Sequence, residues 1–172
     1  RTVGPDDRAW TFSIRQLLAE RVAALSADGA MVALWADPCG PDADARERQR
    51  WYRDRVLASV ADADAHAVLI DPTSEVCQDG EAREVDDVGA PRPDDGQHWS
   101  EEGADWLWRS WLGPTLREVG APGAQPVSAA VFGDSIAFTL DYEGRAGADA
   151  AGIDLAHRSA AIGCGLTRQG PS

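Results

Sequence analysis

Val127-Ser128-Ala129-Ala130-Val131-Phe132-Gly133-Asp134-Ser135-Ile136-Ala137-Phe138-Thr139-Leu140 is the stretch on which the fold turns. An apolar run from Val127 to Phe132 ends in Gly-Asp-Ser and passes directly into helix-compatible sequence. That order predicts a strand, a tight turn and a helix from Ser135 to about Tyr142, with the serine at the junction. A serine so placed has its hydroxyl at the carboxyl edge of a sheet, beside the positive end of a helix dipole. It is the position at which an α/β enzyme holds a nucleophile. The strand that should open such a domain comes late, after residue 126 of 172.

Upstream, residues from about Asp6 to Ala27 carry Ile14, Leu17, Leu18, Val22 and Leu25 at helical spacing. Asp28-Gly29 is a turn, and Met31 to Trp35 a short buried strand. A Pro/Gly/Asp loop, Ala36 to Asp44, leads to a second helix over about Ala45–Ala63, with Trp51, Val56, Leu57 and Val60 on its apolar side. Ala67 to Ile70 is another buried strand, closed by Asp71-Pro72. Residues 73–98 are polar and aperiodic, long enough for a bare loop to suggest function. Ser100 caps a helix to about Val119, with Glu101 and Glu102 in its favoured first turn. Residues 121–126 form a linker, and a Gly/Ala-rich turn precedes a strand near Gly152–Ala156. Short apolar strands alternating with helices predict an α/β fold: a parallel sheet with helices on both faces.

Composition narrows the partners. The chain is 44% hydrophobic and 26% charged, ordinary for a soluble domain, and its 172 residues suffice for one core. A net charge of −13 argues against nucleic acid and anionic membrane. Every basic side chain is Arg, and no apolar run approaches a membrane span. The chain begins at Arg1 rather than Met, so we expect a processed or excised piece of something longer. Three cysteines without CxxC spacing and three scattered histidines give no metal site.

A second signal is Asp94-Asp95-Gly96-Gln97-His98-Trp99-Ser100-Glu101-Glu102-Gly103. Asp95 and His98 stand three apart just before a helix. A compact turn lets the carboxylate reach the imidazole Nδ1 while Nε2 points outward to a serine, the base and orienter of a triad. A third is Gly163-Cys164-Gly165, where glycine permits close backbone approach and an N–H can donate into an oxyanion hole.

Together these elements resemble the SGNH hydrolase superfamily, the GDSL-type esterases and acyltransferases, over nearly the whole chain. The resemblance implies a flavodoxin-like three-layer α/β/α sandwich. Its implied nucleophile is Ser135, with Asp95 and His98 matching the family's Asp-x-x-His block. The backbone N–H groups of Ser135 and Gly163, with Gly165 as the alternative, would form the oxyanion hole. The subtype is similar to actinobacterial extracellular SGNH domains, some fused to membrane-integral sugar acyltransferases. Pro38-Cys39 and Val76-Cys77 match a pair that such domains bridge, which implies a Cys39–Cys77 disulfide and an extracellular or cell-surface setting. Attachment to a membrane protein is compatible with this; insertion of the domain itself is not implied.

Two departures stand out. The family's blocks run from serine to Asp-x-x-His, whereas here Asp95 and His98 precede Ser135. The chain reads as a circular permutation within one domain, 1–172: residues 1–120 are the family's C-terminal half, 121–126 the join and 127–172 its N-terminal part. The Gly-x-Asn block and its central strand are also missing. We expect tens of residues carrying them, and a partner for Cys164, between Ser172 and Arg1.

The resulting expectation is a serine-dependent acyl-ester hydrolase acting on a carbohydrate or small metabolite, without metal or organic cofactor. The alternatives are an O-acyltransferase to a glycan and a catalytically silent SGNH-like binding module. Trp99, next to His98, is expected to line the substrate pocket. Trp106, Trp108 and Trp111 are expected to pack on the sheet. His66, His157, Asp37 and Asp71 are expected to be structural, the two aspartates as caps at strand ends.

Overall fold

The structure, a computed structural model, describes residues 8–85, 88–93, 96–120, 127–132 and 135–156. The chain divides into two compact units, Arg1–Glu81 and Ala82–Ser172.

In the first unit, helix α1 (Arg8–Leu25) buries Leu18 and Val22, an i,i+4 pair on one face. Gly29, at φ +84°, turns the chain toward strand β1 (Val32–Trp35), in a conformation that costs glycine little. Helix α2 (Ala43–Tyr52) starts at Asp42, whose carboxylate accepts the Ala45 N–H at 2.7 Å. It runs without a break through a π-helical segment, Arg53–Leu57, into α3 (Ala58–Ala61). Strand β2 (Ala67–Ile70) lies parallel to β1, Val32 opposite Ala67 and Trp35 opposite Ile70. This strand–helix–strand unit buries Leu18, Val22, Leu34, Val56, Leu57 and Val60 in one core, and Trp51 packs against it.

After β2, the segment read as aperiodic contains one helical turn, α4 (Thr73–Val76), and two short strands, β3 (Cys77–Gln78) and β4 (Glu81–Ala82). The Cys39–Cys77 disulfide implied by the resemblance is present, with Cα atoms 5.9 Å apart. It ties the loop after β1 to the segment after β2, across 38 residues of sequence.

In the second unit, Ser100 caps α5 (Glu101–Leu107) by accepting the Gly103 N–H at 3.0 Å. The helix continues through a π-helical segment, Trp108–Leu112, into α6 (Gly113–Val119). Strand β5 (Val127–Ala129) stops three residues short of the expected Phe132. Helix α7 (Ser135–Tyr142) matches its expected bounds. The expected Gly/Ala-rich turn is instead a helix, α8 (Arg145–Ala150). Strand β6 (Ile153–Leu155) runs parallel to β5, Val127 opposite Ile153.

Helix α8 exists because its small residues permit close packing. A Cβ on Gly147 would lie 2.4 Å from the Asp105 carbonyl oxygen of α5. Asp141, 2% exposed, receives Arg145 at 2.9 Å, and the same guanidinium donates to the carbonyls of Leu155 and Ala156. One charged group thus fastens α7 and α8 to the end of β6. The protein is mixed α/β, mostly helical, with short parallel strand pairs.

Two measurements check this account. Replacing Cys39 and Cys77 by serine should lower unfolding stability by about 2–4 kcal/mol, read from denaturant midpoints, because the unfolded chain regains its loop entropy. Gly147→Ala should lower the melting temperature. Overpacking against a fixed backbone costs about 1–3 kcal/mol and outweighs the roughly 1 kcal/mol that alanine gains in helix propensity.

Candidate active site

Ser135 is the first residue of α7, and His98 lies in the short segment before α5. Their side chains meet: His98 Nε2 and Ser135 Oγ are 2.9 Å apart, joining positions 37 residues distant in sequence. Both residues are half-buried, so the pair is sheltered without being sealed. With Nε2 unprotonated, the hydroxyl donates to the ring, as a general base activating a nucleophile requires. Being the first helical residue, Ser135 has a backbone N–H not used by the helix itself, at the positive end of its dipole.

The His98 segment is fastened on several sides. Gly96 takes φ +69° with open space around it, so glycine serves the backbone there rather than packing. The Ser100 N–H donates to the Pro91 carbonyl at 3.0 Å. This approach is possible because residue 103 is glycine: a Cβ there would lie 2.2 Å from that same oxygen. The Arg92 guanidinium, on a residue 2% exposed, stacks over the Trp99 ring at 5.4 Å. The Trp99 N–H donates to Thr139 Oγ1 at 3.2 Å, which binds the peptide after His98 to α7.

Trp99 itself is 4% exposed, so its ring supports the loop from within rather than offering a face to solvent. Trp108 is fully buried, while Trp106 and Trp111 are half-buried on the same helical run. Asp95, Gly163, Gly165, Cys164 and His157 lie outside the described residues, as does the Gly133-Asp134 part of the motif. Sequence reasoning missed Thr139 and Arg92. Thr139 could have been found from its place one helical turn beyond Ser135, whereas nothing local marks Arg92.

The first unit holds a separate cleft of about 260 Å³ at the carboxyl end of β1, lined by Asp37, Gln49, Tyr52 and Arg53 among others. Asp37 accepts the Gln49 side-chain N–H at 2.7 Å. Asp71 caps the turn after β2 by accepting the Thr73 N–H, and it pairs with Arg53 at 3.1 Å. Arg53 also reaches Asp54, and that hydrogen bond holds the Asp54 carboxyl below its usual range. Burial pushes the Tyr52 phenol up, so it stays protonated. His66, at the entry to β2, accepts the Val32 N–H on its carbonyl. Among the described residues no helix is long and apolar enough to cross a membrane.

Compared with models of known families, with curated proteins and with solved structures, the chain has no match.

Gly103→Ala should push Pro91 away from the helix start. The expected result is a lower melting temperature and faster hydrogen exchange at the Ser100 amide, measured by NMR, because the Pro91 carbonyl that covers it moves.

Proposed function

We propose that this protein is a serine-dependent acyl-ester hydrolase of SGNH type, acting on O-acyl groups of a carbohydrate or small metabolite. The observation that carries the proposal is the 2.9 Å contact between His98 Nε2 and Ser135 Oγ. Histidine and serine in hydrogen-bond reach, the serine opening a helix after a parallel strand, are the parts that acyl transfer needs.

In the proposed reaction Ser135 Oγ attacks the ester carbonyl carbon as its proton passes to His98 Nε2. The carbonyl oxygen becomes an oxyanion, stabilised by the Ser135 N–H and, as the resemblance implies, by the Gly163 N–H. The tetrahedral intermediate collapses, and the leaving alcohol takes the proton from His98. Water then attacks the acyl-serine and gives its proton to His98, which returns it to Ser135 as the acid departs. Asp95 is assigned the role of holding the imidazole tautomer and orientation.

The proposed fold is a three-layer α/β/α sandwich in circularly permuted order. In its support, both parallel pairs, β1–β2 and β5–β6, are joined through helical segments. The Cys39–Cys77 bridge suits an oxidising compartment, and we propose an extracellular or cell-surface location.

The test is fluorophosphonate labelling together with p-nitrophenyl acetate hydrolysis. The intact protein should be labelled at Ser135 and should turn over the ester. Ser135→Ala and His98→Ala should each lower kcat by about a thousandfold or more. A folded protein that neither labels nor hydrolyses would instead be a binding module.

A further inference from the structure

We propose that Thr139 is a positioning residue that sets His98 against Ser135, an inference that rests on the hydrolase reading above. Ser135 and Thr139 are one turn apart on α7, the i,i+4 spacing that places two side chains on one helix face. The Thr139 hydroxyl donates to the Ile136 carbonyl at 2.9 Å and accepts the Trp99 N–H at 3.2 Å. A hydroxyl has one proton and two lone pairs. Donation to Ile136, three residues back, therefore selects the threonine rotamer and leaves a lone pair for Trp99.

The consequence is geometric. Trp99 N is bonded to the carbonyl carbon of His98, so the imidazole hangs from a peptide pinned to the helix that starts at Ser135. Two contacts then close one loop: Nε2 to Oγ at the reacting pair, and Trp99 N–H to Thr139 one helical turn further on. The Arg92–Trp99 stack and the Ser100–Pro91 hydrogen bond hold the same segment, but neither partner lies on α7. Among these attachments only Thr139 refers the histidine backbone to the helix of the nucleophile. Valine keeps the shape of threonine but can neither accept from Trp99 nor donate to Ile136; of the two bonds that Thr139→Val removes, only the first reaches the histidine segment.

In the intact protein, Thr139→Val should lower kcat for p-nitrophenyl acetate about 10- to 100-fold with KM within about twofold, the cost of a misplaced base. Fluorophosphonate labelling of Ser135 should slow in parallel. Thr139→Ser, which keeps the hydroxyl, should restore kcat to within about threefold of wild type. Hydrogen exchange at the Trp99 amide should quicken in the valine variant and stay slow in the serine variant, a readout that needs no activity. Equal kcat in wild type and Thr139→Val would overturn the positioning role, as would a serine variant as slow as the valine one. Wild-type protein that is not labelled at Ser135 would overturn the hydrolase reading itself, and the role of Thr139 in catalysis with it.

Discussion

In the second unit everything is arranged around Trp108. Its ring is wholly buried, and its indole N–H donates to the Leu140 carbonyl at 2.9 Å, inside the helix that begins at Ser135. The largest buried side chain of α5's helical run is thus bonded directly to the backbone of α7. Burying an indole without a partner for its N–H would be costly, so this contact determines how closely the two helices approach. Gly144 obeys the same constraint: a Cβ there would come within 2.3 Å of the Trp108 ring. Leu107, Leu112, Leu140, Ala148 and Ile153 are buried in the same unit.

That constraint gives the proposed active pair a rigid frame. His98 precedes α5 and Ser135 opens α7, so the Trp108 contact fixes the two supports before either side chain is considered. Local fastenings then set the finer geometry: Ser100 on Pro91, Arg92 over Trp99, and Trp99 on Thr139. A base must sit within hydrogen-bond reach of its nucleophile, held to about 0.5 Å of the productive geometry, and a loop alone does not provide that precision. The first unit uses a different device. There the Cys39–Cys77 bond secures the loops that follow two parallel strands, a covalent restraint where few apolar side chains are available.

Much of this was legible in the sequence, and the omissions have physical causes. The long helices follow from apolar spacing, and β2 and α7 fall where the pattern put them. The π-helical segments at Arg53–Leu57 and Trp108–Leu112 left no mark, because widened turns arise from packing rather than composition. Helix α8 looked like a turn because Gly144, Gly147 and Gly152 are poor helix formers. Gly144 and Gly147 are there for close contact with Trp108 and Asp105, which appears only once the partners are in place, and Gly152 takes φ +76° in the turn after α8. Strand β5 is shorter than its apolar run, since a strand lasts only as long as its partner β6 supplies hydrogen bonds. The burial of Trp99 beneath Arg92 left no mark either, since that arginine stands 7 positions earlier with no local signature.

Sequence alone singled out the candidate residues for the proposed chemistry. The Ser135 junction and the Asp95–His98 spacing are local patterns, and side-chain type with backbone propensity is enough to identify them. Apolar periodicity likewise sufficed for the class of fold, because helices and strands bury their faces at different periods. Only the tertiary structure decided that His98 and Ser135 meet, since their 2.9 Å contact spans 37 residues and depends on how α5 and α7 pack. It also decided what holds them there: a threonine hydroxyl, a buried arginine and two glycines whose value lies in the atoms they allow to come near. Such contacts are properties of the assembled core, which no stretch of the chain carries by itself.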